Sequence, residues 1–224
     1  VALKNTVIMI FVTLFGEVGL AVILAMLVDN VKRGTKFFRI VYFFPIVISA
    51  TALGVLFNLI FQYDGGMLSQ LVGEKTNWKE LYPLTVMMTP VVWQYVGFYF
   101  IILVTGLNNI PEELYESAAI DGATRWQSFT KIIIPLSRPI IVYTVLNSFL
   151  APWIDFVFAK VICRANKDYY TVSIGLWNML EKEYVYPWFN SFAAGAVLIS
   201  IPIIILFMFM QKCYRESFSG GVKG

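Results

Sequence analysis

Five apolar runs, each close to the length of a bilayer crossing, set the terms for this chain. They are Thr6–Val28, Val41–Phe61, Leu84–Thr105, Ile140–Phe158 and Asn190–Met210, against the roughly 20 helical residues that cross a hydrocarbon core. Backbone polar groups in lipid must be satisfied within the segment, and no run shows the two-residue alternation of a membrane barrel, so the runs predict helices. The fourth is the weakest, interrupted by Asn147, Ser148, Pro152 and Asp155. Composition points the same way: 58% apolar, 14% charged and a mean hydropathy of +0.72, where soluble domains have about 45–50% and 25%. One globular core cannot hide so much apolar surface. Disordered, collagen-like, disulfide-scaffold and nucleic-acid-binding classes are excluded, the last because a net charge of +3 is small and dispersed.

The chain has no histidine, the commonest general base and metal ligand. Cys163 and Cys213 lie far apart and build neither a zinc knuckle nor a disulfide framework. An intramembrane enzyme therefore lacks a nucleophile–base pair.

Lys and Arg near the span ends set the orientation. The short stretch Asp29–Arg39 holds Lys32, Arg33, Lys36 and Arg39. On the same side fall Arg125, Lys131 and Arg138, then Lys212, Arg215 and Lys223. The other side holds Lys4, Lys75, Lys79, Lys160, Arg164, Lys167 and Lys182, a tally of 10 against 7. The basic side is read as cytoplasmic, which places the C-terminus inside and the start of the first run outside. A sixth helix upstream of Val1 is the expected resolution.

The third and fourth runs are joined by Gly106–Pro139, longer than a helix connection needs. Pro111 suits the first position of a short helix, and Glu112 and Glu113 complement its positive end. Leu114 with Ala118, and Tyr115 with Ala119, stack one turn apart, and Gly122 stops the helix. Thr124-Arg125-Trp126-Gln127 opens a second helix as a capping box. Its apolar face is Trp126, Phe129 and Ile133, and Pro135 and Pro139 are expected to end it. A hairpin resting on lipid headgroups would carry Lys and Arg on its polar face. The first helix carries acids and no base, with small residues Ser117, Ala118, Ala119, Gly122 and Ala123, which suits close approach of another protein.

The run Glu116-Ser117-Ala118-Ala119-Ile120-Asp121-Gly122-Ala123, with Ile132, Ile134 and Pro135 downstream, resembles the EAA motif of binding-protein-dependent ABC importer permeases. Glu116, Ala118, Gly122, Ile132 and Pro135 fall in register; Ser117 replaces an Ala and Ile134 a Leu. Leu3-Lys4-Asn5-Thr6, Phe37-Phe38-Arg39 with Phe43-Phe44-Pro45, and Trp93-Gln94 look like the carbohydrate, maltose-type branch. The first half is similar to the first permease subunit of such systems and the Gly220–Gly224 end to its partner. The resemblance implies an all-α, polytopic helical bundle of the type I ABC importer transmembrane domain over 1–213. Its coupling segment is about 108–135, and 214–224 form a cytoplasmic tail. It further implies an inner-membrane pathway for sugars or oligosaccharides. Implied partners are a second permease subunit, cytoplasmic ATPase subunits docked at Glu116, Ser117, Ala118, Ala119, Asp121, Gly122, Ala123, Ile132 and Pro135, and an extracytoplasmic solute-binding protein. No cofactor is expected on this chain; ATP and Mg belong to the partner ATPase, since no G-x-x-x-x-G-K-[ST] loop is present. Two alternatives stand beside this reading: an ABC permease for a non-sugar solute, and an ion-gradient-driven carrier. The latter would show inverted repeats and paired broken helices, and neither is visible in the sequence.

Ionisable and polar groups at bilayer depth are functional candidates. Pro90 is expected to kink the third helix, with Gln94, Tyr95 and Tyr99 beyond it. Asn147, Ser148, Ala151 and Asp155 line up along the fourth. Gln94, Tyr95, Tyr99, Asn147 and Asp155 are the candidate solute contacts; equally, each could bond a neighbouring helix. Glu17, flanked by Gly16 and Gly19, reads as structural, at a close helix crossing. Trp78, Tyr82, Tyr184, Tyr186 and Trp188 suit the membrane interface.

Overall fold

The computed structural model describes residues 1–29, 35–108, 110–163, 169–180 and 185–220. Among them there is no strand. The fold is all helix, as lipid requires. The first span joins α1 (Ala2–Thr13) to α2 (Gly19–Asp29) through a π-turn at Leu14–Val18, and is continuous over Ala2–Val28. α7 (Pro83–Asn108) forms the third span; α11 (Arg138–Ile154) and α12 (Val157–Cys163) form the fourth, over Arg138–Ile162; the short α13 (Val172–Leu180) follows, and α14 (Val185–Gly220) carries the last span, over Phe189–Gln211.

The second run departs from expectation. Val41–Phe61 is not one straight crossing but two helices, α3 (Thr35–Val47) and α4 (Ala50–Ile60), bent by 94°. Pro45, without an N–H, weakens the end of α3. Ile48 N–H then turns back to the Pro45 carbonyl, and Ser49, in an extended conformation, caps α4 by accepting from Ala52 N–H at 3.2 Å. Among the described residues this is a broken helix that the sequence did not announce.

The third span is the central post, with 56% of its most apolar stretch buried, against none for the last span. Tyr99, Phe100, Leu103 and Val104 pack on Ala21, Ala25 and Val28 of α2. Further out, Val86 and Val91 meet Leu53, Phe57 and Phe158. α3 lies so close to α7 that a Cβ at Gly97 would collide with the Tyr42 carbonyl. The glycines beside Glu17 make no such approach: a Cβ at Gly16 would meet Val92 at an ordinary 3.6 Å, and one at Gly19 would meet nothing within 4 Å. The close crossing expected there is found instead at Gly97.

Between α4 and α7 lie α5 (Met67–Val72) and α6 (Trp78–Leu81). Trp78 Nε1 donates to Ser69 Oγ at 3.1 Å and Lys79 bonds Asn58. Tyr82 is half exposed beside Trp78, their rings 6.4 Å apart, which suits an interfacial pair. Lys32, Arg33, Arg164, Lys167, Lys182, Tyr184 and residues 221–224 lie outside the described residues, as do the side chains of Cys163, Tyr186, Trp188 and Cys213.

Candidate functional site

α8 (Glu112–Ile120) begins one residue later than its sequence suggests: Pro111 stands in front of it with extended ψ, as its cap. Its end follows the glycine rule. Gly122 has φ +71, Ala123 N–H reaches the Ala118 carbonyl at 2.9 Å and Gly122 N–H the Ala119 carbonyl at 3.1 Å. This paired closure satisfies two orphan carbonyls and needs a left-handed residue. Thr124 and Gln127 then cap each other: Thr124 N–H donates to Gln127 Oε1 at 2.8 Å, and Gln127 N–H to Thr124 Oγ1 at 3.3 Å. Two short helices are therefore held at a defined corner by local bonds.

The corner presents a surface. Glu116, Ser117, Ala119, Asp121 and Gly122 are exposed, and Ile120 stands 86% exposed, an apolar side chain with nothing over it. Ala118 instead turns inward, Ala123 and Ile132 are half-buried and Pro135 is exposed. Trp126 is exposed beside Phe129. The side chains of Glu112, Tyr115 and Arg125 lie outside the described residues. The second helix ends between the two prolines, one residue beyond Pro135 and before the next span: α9 (Arg125–Ser128) widens into a π-turn at Phe129–Ile133 and passes Pro135 in α10 (Ile134–Leu136). The wider turn absorbs the missing proline N–H. Pro139 sits in the first turn of α11 and opens it rather than closing what precedes it.

The intramembrane candidates separate into three groups. Gln94 is buried and its Nε2 donates 3.0 Å to the Ile48 carbonyl, left without a helical partner at the α3–α4 break. Its work is at the bend. Tyr95 and Tyr99, with rings 6.4 Å apart, face the first and fourth spans; Tyr99 is fully buried and its hydroxyl approaches Ser148. Asn147 Nδ2 donates to its own helix at Tyr143, 2.9 Å away, and stays half exposed. Asp155, two helical turns further or about 12 Å, caps α12, accepting from Phe158 N–H at 3.4 Å and Ala159 N–H at 3.2 Å. Its carbonyl accepts from Thr171 Oγ1 at 3.1 Å. Asn147 and Asp155 are not brought together.

Glu17 and Ser148 belong to a buried polar layer that depth in the membrane alone does not reveal. Glu17, Thr13, Ser148 and Thr144 are all 0% exposed. Ser148 Oγ donates to Glu17 Oε2 at 3.1 Å. Thr13 with Glu17, and Thr144 with Ser148, are each four residues apart on one helix, the spacing that would have flagged a shared polar face. An apolar cavity of about 800 Å³ lies between the first three spans, bordered by Val12, Leu24, Tyr42, Pro45, Met88 and Trp93. None of the candidate solute residues lines it.

Residues 17–218 match the family model described as "Binding-protein-dependent transport system inner membrane component". The chain belongs to this family. It is 40% identical over 119 residues to the galactooligosaccharides transport system permease protein GanQ of Bacillus subtilis (strain 168), covering 53% of this chain and 41% of that protein. It is 33% identical over 182 residues to the maltose/maltodextrin transport system permease protein MalG of Salmonella typhimurium (strain LT2), covering 81% of this chain and 56% of that one. The chain thus spans about half the length of these curated relatives. A solved chain from a bacterial ABC transporter involved in the import of the acidic polysaccharide alginate superposes with a TM-score of 0.82 at 19% identity, over 96% of this chain and 78% of that one. At that identity the likeness establishes the fold, a type I importer transmembrane domain. The family makes this a multi-pass inner-membrane transport component.

Proposed function

We propose that this chain forms one half of the transmembrane pathway of an ATP-driven importer for sugars or oligosaccharides, coupled to a separate ATPase through Glu116–Ala123. The observation that carries the reading is the corner at Gly122: a short acidic helix, locked by its own caps, whose outer face is exposed and includes Ile120. Such a corner takes its shape from its own caps, which suits a docking element that must transmit force. It leads through α9, the π-turn and α10 directly into the fourth span, so a push on α8 acts on the helix that bears Asn147 and Ser148. GanQ and MalG, as their names state, serve galactooligosaccharide and maltose/maltodextrin transport, which supports a carbohydrate solute. Asn147, on the half-exposed side of the fourth span, is the pathway contact, with Tyr95 beside the polar layer behind it. A second permease subunit completes the pathway and an extracytoplasmic solute-binding protein delivers the solute, in keeping with the family's description. ATP and Mg are bound by the partner ATPase, and the C-terminus faces the cytoplasm.

The test is Gly122→Asp. A Cβ there meets nothing within 4 Å, so the substitution acts chiefly through a charge on the docking face, with a smaller share from backbone strain, since Asp is among the side chains that tolerate a left-handed conformation. The variant is expected to insert normally but to lose the ATPase on co-purification, and with it solute-stimulated ATP hydrolysis, beside a control change at exposed Lys131. Retention of the ATPase with coupled transport would overturn the docking assignment.

A further inference from the structure

The fourth span has two faces, and the one turned inward is the more polar. Thr144, Ser148 and Pro152 are buried, whereas Tyr143, Asn147, Ala151 and Ile154 are half-buried or exposed. In a bilayer the hydroxyls of Thr144 and Ser148 turn inward while Ile154, 64% exposed, faces outward. The roll at which the helix settles depends on the polar partner that meets those hydroxyls, and the first span supplies it. The π-turn at Leu14–Val18 widens the helix at the place where Glu17 enters the bundle, re-aiming the side chains that follow. Glu17 Oε2 accepts from Ser148 Oγ at 3.1 Å. One turn earlier, Thr13 Oγ1, donating to the Met9 carbonyl at 2.8 Å, also comes within 3.4 Å of the Ser148 carbonyl. Tyr99 of the third span closes on the same serine. Three spans therefore meet at Ser148, and Glu17 Oε1 has no hydrogen-bond partner among the described residues.

We infer that Glu17 is a positioning residue for the solute pathway: by holding Ser148 it sets the roll of the fourth span about its axis and so presents Asn147 to the pathway. A helix turns about 100° per residue, so with Ser148 pinned against the first and third spans, Asn147 faces the open side. The inference rests on the pathway reading given above. Without the Glu17 acceptor, the Ser148 hydroxyl keeps only Tyr99 beside it, the bond that ties the fourth span to the first is gone, and the helix is free to roll.

The experiment uses the reconstituted importer with Cys163 and Cys213 replaced by serine and one reporter at a time, Asn147→Cys or Thr144→Cys. With Glu17 intact, a water-soluble maleimide should modify the cysteine at 147 at least about tenfold faster than that at 144. Glu17→Met, similar in volume but without the acceptor, should collapse that ratio and raise the half-saturating solute concentration about five- to tenfold, the worth of one such hydrogen bond. Maximal solute-stimulated ATP hydrolysis should change less than about twofold, since the docking corner is untouched. Glu17→Gln, which keeps an oxygen for Ser148, should restore both readouts. An unchanged ratio and half-saturation in Glu17→Met overturn the inference. If Glu17→Met fails to assemble, Ser148→Ala removes the same bond from the other end and is judged by the same ratio. Failure of solute to protect the cysteine at 147 with Glu17 intact would sink the pathway reading, while the ratio still decides whether Glu17 sets the roll.

Discussion

The cytoplasmic corner and the polar layer solve the same problem by opposite means. At the corner, the bonds that shape the chain among the described residues join near neighbours: Ala123 to Ala118, Gly122 to Ala119, Thr124 to Gln127. Most of the groups are exposed, and the geometry is carried by one left-handed glycine and a capping box. In the polar layer, the bonds join residues more than a hundred positions apart, Ser148 to Glu17 and Thr13 to the Ser148 carbonyl, and the groups are fully buried. Local bonds make an element that keeps its shape while it moves as a unit. Long-range buried bonds make a joint between elements, whose loss lets one helix turn against another.

If that contrast holds, disturbing the joint should cost the whole bundle, and disturbing the corner should not. The largest effect is expected from Ser148→Val, which leaves the buried Glu17 acceptor without its donor. It should lower stability by about 2–3 kcal/mol, seen as an earlier thermal unfolding midpoint of the solubilised protein. Asp155→Ala comes next. It removes the carboxylate that caps α12, worth about 1–2 kcal/mol, and should lower the unfolding midpoint by less than Ser148→Val does. Asp155→Asn, itself a good cap, should retain the midpoint. An unchanged midpoint in Asp155→Ala, with impaired solute uptake, would return Asp155 to the solute pathway.

Thr124→Ala should cost about 1 kcal/mol of local order at the corner. The global unfolding midpoint should stay put while limited trypsin cleavage at Lys131 speeds up; a shifted midpoint would mean that the corner is tied into the bundle after all. The smallest effect concerns the exposed pair Asp64–Lys75, 2.7 Å apart outside the spans. Hydrogen bonding to Lys75, and then its charge, holds the Asp64 carboxyl below its ordinary value, and the Lys75 ammonium is raised in return. The Asp64 share of this pairing is present above the ordinary carboxylate value and fades as pH falls through the lowered one. The Lys75 share fades as pH rises through its own raised value. Lys75→Ala should leave the unfolding midpoint unchanged between those limits, and chemical-shift titration of Asp64 should show its carboxyl return to the ordinary value.

Local rules carried the corner from letters to geometry. A left-handed stop at Gly122 and a box from Thr124 to Gln127 are short-range demands of the backbone, and the sequence alone was enough to place them. The same holds for the apolar runs and for their helical state, because lipid leaves the backbone no other choice. The sequence also carried the family, through a motif whose spacing survives two mild replacements. It did not carry the bend. Pro45 and Ser49 are visible, but a 94° turn depends on Gln94, forty-six residues later, offering an amide to the Ile48 carbonyl. Nor did it carry the roles of the polar residues. Gln94, Tyr99 and Asp155 look alike as solute contacts when only depth is considered; packing assigned them to a bend, a joint and a cap. Glu17 became more than a buried acid because a π-turn aimed it at a serine on the fourth span. Pairings of that kind are settled by which helices lie side by side, and helix adjacency is a property of the packed bundle that no single segment encodes.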